Sequence, residues 1–151
     1  MEGRAIAMLT KIAIIFGVGM LVAGILGFVP GITTNEHLLG IFDVNTAHNI
    51  VHIFSGAAAI SAGLGGTYTS RSFFRAFGVI YALVAVLGLV QGNGLLLGVI
   101  SNNLADTALH SGIAIFALLF GFGTLFNKSN SEPKTAAPDR VAASFGSRRA
   151  K

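Results

Sequence analysis

The feature that most constrains this chain is a repeat of its own polar and turn residues inside an otherwise apolar sequence. Leu38, Leu39, Gly40, Asn45, Ala47 and His52 reappear as Leu96, Leu97, Gly98, Asn103, Ala105 and His110, at a constant offset of 58. Upstream, Phe16-Gly17-Val18 and Leu26-Gly27 reappear as Phe77-Gly78-Val79 and Leu87-Gly88 at an offset of 61, so the second half has the shorter loop. Such a pattern predicts two similar helix pairs about a pseudo-two-fold axis, with polar groups gathered near it.

The solvent for such a chain is lipid. Hydrophobic residues make up 53% of it and charged residues 11%, with a mean hydropathy of +0.75, which leaves too little charge to cover a water-facing surface. Four apolar stretches, 8–29, 46–66, 73–91 and 104–126, each approach the ~20 residues that an α-helix needs to cross the hydrocarbon core. The expected fold is therefore all-α: a four-helix transmembrane bundle built from two tandem helical hairpins related by a pseudo-two-fold. Small residues at helical spacing predict the packing seams: Gly19, Ala23 and Gly27; Ser55, Ala59 and Gly63; Gly78, Ala82, Ala85 and Gly88; Ala114, Ala117 and Gly121.

The basic residues set the expected orientation. Arg4 and Lys11 lie at the start of helix one, Arg71 and Arg75 between helices two and three, and the remaining six of the ten follow helix four. The other two loops hold none. Four spans then place both termini on the cytoplasmic side of the inner membrane. This distribution also turns a pI near 10 away from a nucleic-acid partner and toward topology. The first apolar run reads as a retained helix rather than a signal peptide, because its Phe-Gly-Val and Leu-Gly elements recur in helix three. Residues 127–151, rich in Ser, Pro, Ala and basic residues, read as a disordered cytoplasmic tail after a transmembrane domain spanning 1–126. The outer-loop segments Leu38–Phe42 and Leu95–Ile100 are apolar and are expected to lie in the interface or to fold back as re-entrant turns.

The chemistry gathers where helices two and four begin. Asn45, His48, Asn49, His52 and Ser55 share one face of helix two, and Asn103, Asp106, Thr107 and His110 the equivalent face of helix four. Asn45 and Asn103 are natural N-caps. His52 and His110, seven residues further on, lie about 10 Å along the axis, within the outer half of a bilayer. Ionisable groups at that depth face the interior and pair, so His48, His52, Asp106 and His110 are expected to converge. His37 and Glu36, in the first outer loop, are expected to be solvated.

Three readings of that cluster stay open from sequence. Imidazoles with one carboxylate suit a divalent metal held by His48, His52, Asp106 and His110, or haem b with His52 and His110 as axial ligands. Titratable groups in a helix bundle also suit a proton or small-solute pathway, although Leu, Ile and Phe block its continuation. The remaining reading is a self-satisfied network, with Asn45, Asn49, Asn103 and Thr107 around it, that fixes helix register in a structural or accessory scaffold. The absence of cysteine excludes disulfides and thiolate chemistry, and no nucleotide loop, Ser-His-Asp order or carboxylate pair suggests an enzyme. The partners expected are the lipid bilayer and, within it, a second copy or a larger membrane complex.

The segments Asn-Thr-Ala-His-Asn-Ile-Val-His (Asn45–His52) and Asn-Leu-Ala-Asp-Thr-Ala-Leu-His (Asn103–His110) resemble a bacterial domain-of-unknown-function family of small four-helix membrane proteins. The likeness runs from Lys11 to Phe126. It implies the four-span architecture and the polar positions, and no activity. A looser likeness to small four-helix membrane proteins of the DoxX type rests on architecture alone.

Overall fold

A computed structural model describes residues 2–123, with side chains from Met8 onward. The expected tail, the last residues of helix four and the Arg4 side chain lie outside the described residues. The elements in chain order are α1 (Glu2–Leu26), three two-residue strands β1 (Thr33–Thr34), β2 (His37–Leu38) and β3 (Phe42–Asp43), α2 (Thr46–Leu64), α3 (Thr67–Gln91), β4 (Gly94–Leu96), β5 (Ile100–Asn102) and α4 (Leu104–Phe122). Three helical segments, Met8–Leu26, Thr67–Gln91 and Leu104–Phe122, are long and apolar enough to cross a membrane. α2 has the length of α4, but His48, Asn49 and His52 lower its apolarity.

The helices pack as two antiparallel pairs, α1 on α2 and α3 on α4, and glycine sets how close they come. A Cβ on Gly17 would stand 2.6 Å from the Gly56 carbonyl oxygen, and one on Gly56 would stand 2.6 Å from the Gly17 carbonyl oxygen. Backbone meets backbone there, as it must when dispersion rather than water exclusion holds helices together. The same contacts recur in the second pair. Gly17 meets Ile60 as Gly78 meets Leu118; Gly63 meets Ile14 as Gly121 meets Arg75; Gly27 is covered by the Asn49 side chain as Gly88 is covered by Thr107. The seam expected from sequence is corrected at Gly19: it faces open space, and the close approach of α1 runs instead through Gly17, Gly24 and Gly27.

Between the pairs, at the end away from the strands, lies an aromatic core. Phe16 of α1 packs against Phe73, Phe74 and Phe77 of α3 and stacks on Phe116 of α4 at 5.8 Å. Phe74 is fully buried. Edge-to-face and offset rings of this kind add about 0.5–1.5 kcal/mol per pair beyond area burial. The outward faces are apolar as well, with Phe54, Leu64, Leu89 and Val90 all exposed, as lipid-facing residues are. Arg71 and Arg75 belong to the first turns of α3 rather than to a loop before it; the Arg75 Nε donates to the Gly121 carbonyl at 2.7 Å.

Each apolar Leu-Leu-Gly segment makes a β-turn within the three-residue loop of a β-hairpin, which pairs Leu38 with Phe42 in the first half and Leu96 with Ile100 in the second. Leu39 and Gly40 have φ of 55° and 70°, and Leu97 and Gly98 have 52° and 73°. Ile41 N–H donates to Leu38 at 3.1 Å and Val99 N–H to Leu96 at 3.0 Å. Positive φ at both central residues matches the right-handed twist of the paired strands and explains the glycine at the second of them.

Replacing Gly56 by Ala is expected to cost about 1–3 kcal/mol, because the added methyl meets backbone of α1 that cannot move aside. Gly19→Ala is expected to be neutral or slightly stabilising. Reversible denaturation of the two variants in mixed detergent micelles compares them directly.

Candidate metal centre

The strands bring the two helix pairs together at one end, and side chains fasten them by exchange. The Asn45 side chain caps α2, accepting from His48 N–H at 2.9 Å, and its Nδ2 donates across to the Val99 carbonyl at 2.8 Å. The Asn103 side chain caps α4, accepting from Asp106 N–H at 3.0 Å, and its Nδ2 donates across to the Ile41 carbonyl at 2.8 Å. These four bonds form two pairs at matching positions of the two halves. Each cap satisfies a helix N-terminus that has no intrahelical partner. Each amide also ties its own pair to the opposite hairpin turn.

One position breaks the match. His48 in the first half corresponds to Asp106 in the second, and the two make opposite bonds to matching partners. The Asp106 carboxylate accepts from the backbone N–H of Asp43 at 3.0 Å and of Asn103 at 2.9 Å. The His48 Nδ1 faces the carbonyl oxygens of Asp43 at 3.0 Å and Ser101 at 2.9 Å. Carbonyls only accept, so Nδ1 carries the hydrogen and, in the neutral ring, Nε2 presents a bare lone pair.

That lone pair points at two more imidazoles. His48 Nε2 and His52 Nε2 stand 3.0 Å apart. The ring of His110 lies 5.6 Å from that of His48 and 6.3 Å from that of His52. All three residues are buried, and one nitrogen from each lies within 4.8 Å of the others. Without a ligand, the His48 tautomer forces His52 Nε2 to donate, which leaves His52 Nδ1 as an unprotonated acceptor. The buried Nδ1 atoms of His52 and His110 have no hydrogen-bond partner. Orphaned buried polar atoms are uncommon and point to a missing partner.

Of the four residues considered as ligands from sequence, His48, His52 and His110 bring nitrogens together, and Asp106 lines the same cavity while its Oδ2 accepts from the backbone N–H groups of Asp43 and Asn103. The pair His52 and His110 does not accommodate haem, because His48 Nε2, 3.0 Å from His52 Nε2, fills the space that the macrocycle would need. Asn49 and Thr107 are buried and pack the α1–α2 and α3–α4 crossings. His37 is not simply solvated: its Nε2 lies 3.2 Å from the Asp43 carboxylate, which also accepts from Asn103 Nδ2 at 2.8 Å.

Sequence reading missed Asp43 and Asn102. Asn102, fully buried, donates through Nδ2 to the Gly92 carbonyl at 3.2 Å and to Thr107 Oγ1 at 3.0 Å, tying the end of α3 to the start of α4. The available signal was the offset itself, since Asp43 is the counterpart of Ser101 and both contribute a carbonyl to His48.

The triad lines a cavity of about 250 Å³. Asn49 and Asp106 line it beside them, and the other walls are apolar: Gly19, Val22, Ala23 and Leu26 of α1, the first hairpin, and Leu109 of α4. An imidazole trio with one side open to a cavity has the composition of a three-ligand metal centre with a free coordination position.

Residues 11–123 match a protein family described as a domain of unknown function (DUF4383). No curated protein and no solved structure matches the chain.

Asn103→Ala is expected to destabilise the protein by about 2 kcal/mol, since it removes a cap and the cross-link to Ile41 together. Equilibrium unfolding in mixed micelles measures the loss, and a value below a few tenths would remove the exchange from its role.

Proposed function

The chain belongs to this family of unknown function, and we propose that it is a four-span membrane protein that binds a divalent transition metal through His48, His52 and His110. The observation that carries this reading is the convergence of three buried imidazoles, with one nitrogen of each within 4.8 Å of the others. Tetrahedral Zn2+ at about 2.0–2.1 Å from each nitrogen holds its ligands ~3.3 Å apart, close to the 3.0 Å between His48 and His52. Binding draws His110 inward and displaces the proton between the first two rings. The Nδ1–H bonds of His48 to two carbonyls supply the outer support that fixes a ligating ring in its tautomer. Three neutral imidazoles leave the site cationic when loaded, and the nearby Asp106 carboxylate offsets part of that charge.

In this reading the matching contacts at offsets of 58 and 61 reflect an internal duplication, and α2 crosses the membrane because α1 and α4 shield its polar face. The strands then lie on the outer side and the Arg71–Arg75 end on the cytoplasmic side. A solute pathway is disfavoured by the Phe16, Phe74 and Phe116 cluster, which closes the centre below the histidines.

Purified protein dialysed against Zn2+ or Co2+ is expected to retain one ion per chain. His52→Ala and His110→Ala are expected to lose it, and His37→Ala to keep it. Retention of metal by both of the first two variants, or none by the parent, would refute the site. Orientation is tested separately, because a chain free of cysteine accepts single reporters. Glu36→Cys is expected to react with an impermeant maleimide from outside intact cells, and Arg71→Cys only after lysis.

A further inference from the structure

Resting on that metal centre, we infer that the cavity beside it admits a neutral, lipid-soluble ring compound carrying a hydroxyl group, a phenol or quinol head, from the bilayer to the open coordination position. Four observations carry this. First, the walls of the cavity are apolar except at one end, where His48, Asn49, His52, Asp106 and His110 stand. A molecule that fits is therefore apolar over most of its surface with an oxygen at one end.

Second, the mouth is rimmed by exposed apolar residues of two helices apolar enough to span a membrane: Val22 is 48% exposed and Leu109 42%, with Leu39 of the hairpin above them at 62%. Entry is thus lateral, from lipid, rather than from water. Third, the cavity is maintained by absence of side chain. Gly19 and Ala23, one turn apart on α1, line it, and a Cβ on Gly19 would meet nothing within 4 Å, whereas Gly17 and Gly24 on the same helix are pressed against α2. Fourth, a route through lipid costs an ionised group its hydration. A fatty acid is disfavoured on that ground, and a neutral hydroxyl is accepted. Its oxygen reaches the metal, and its ring lies against Phe42 and the small residues of α1.

The test uses the full-length protein in nanodiscs loaded with Co2+, whose visible bands report the ligand set. Addition of para-hexylphenol is expected to shift the bands saturably, and hexanoate at the same concentration to leave them unchanged. Gly19→Leu, which fills the cavity, and Val22→Trp, which narrows its mouth, are each expected to retain the Co2+ bands while weakening the phenol response at least about tenfold. Bands that para-hexylphenol does not move, that hexanoate moves equally, or that respond as in the parent when both variants hold Co2+, overturn the inference and leave the metal centre standing. A parent protein without Co2+ bands overturns the metal centre and this inference with it.

Discussion

Backbone ends are what this fold has to solve. A helix that crosses lipid satisfies its own interior hydrogen bonds, but its first turn and its connecting loop do not, and no water is available beside an apolar surface to do so. Here the solution is mutual. Asn45 and Asn103 each cap a helix and reach across to the opposite hairpin turn, so neither pair is complete without the other. The tight glycine crossings at Gly17–Gly56 and Gly78–Leu118 hold each pair together; the amide exchange fixes how the pairs meet. Were the register of either pair to slip by one residue, the caps and cross-bonds would fail together.

That exchange also determines where the histidines go. With the start of α2 held over Ser101 and the start of α4 over Asp43, the first inward-facing position of each helix lands against strand backbone. A carboxylate at that position accepts from two N–H groups through Oδ2. An imidazole there gives its Nδ1–H to carbonyls and, being bifunctional, still has a second nitrogen to aim inward. The geometry converts one amino-acid difference between the halves into a chemical asymmetry: Asp106 accepts from backbone N–H groups, whereas His48 faces carbonyls and turns its second nitrogen toward His52.

Much of this was legible in the sequence, and the limits are instructive. Helix positions followed from hydrophobic runs. The Asn caps followed from their place before those runs, and the inward stripe from spacing. α3 begins at Thr67, earlier than hydropathy suggests, because Thr69 and Ser70 hydroxyls bond back to Ala62 and Gly66 carbonyls and make a tight α2–α3 turn out of polar residues. The strands were hidden because two- and three-residue pairings carry no periodicity; only the recurring Leu-Leu-Gly hinted at a shared turn. Gly19 was misread because sequence spacing cannot distinguish a glycine that permits contact from one that preserves a void. That Asp106 Oδ2 also takes the N–H groups of Asp43 and Asn103 was not legible, because unpaired backbone donors leave no mark in the sequence.

The departure from symmetry is what supplies the third ligand of the proposed metal centre. With Asp at both positions, each carboxylate would cap and clasp, leaving only His52 and His110, too few to hold an ion against water. With His at both, four imidazoles would crowd one axis and no carboxylate would accept the N–H of Asp43 or close the capping box on Asn103. One of each keeps the clasp on the Asp106 side, whose capping box makes it the more firmly held helix start, and adds the third nitrogen on the other. In the proposed metal centre the three imidazoles would leave one coordination position free, beside the cavity wall where Gly19 of α1 touches nothing. Access to the centre and composition of the centre are thus set by two local exceptions, His48 and Gly19, to rules that the rest of the chain obeys twice.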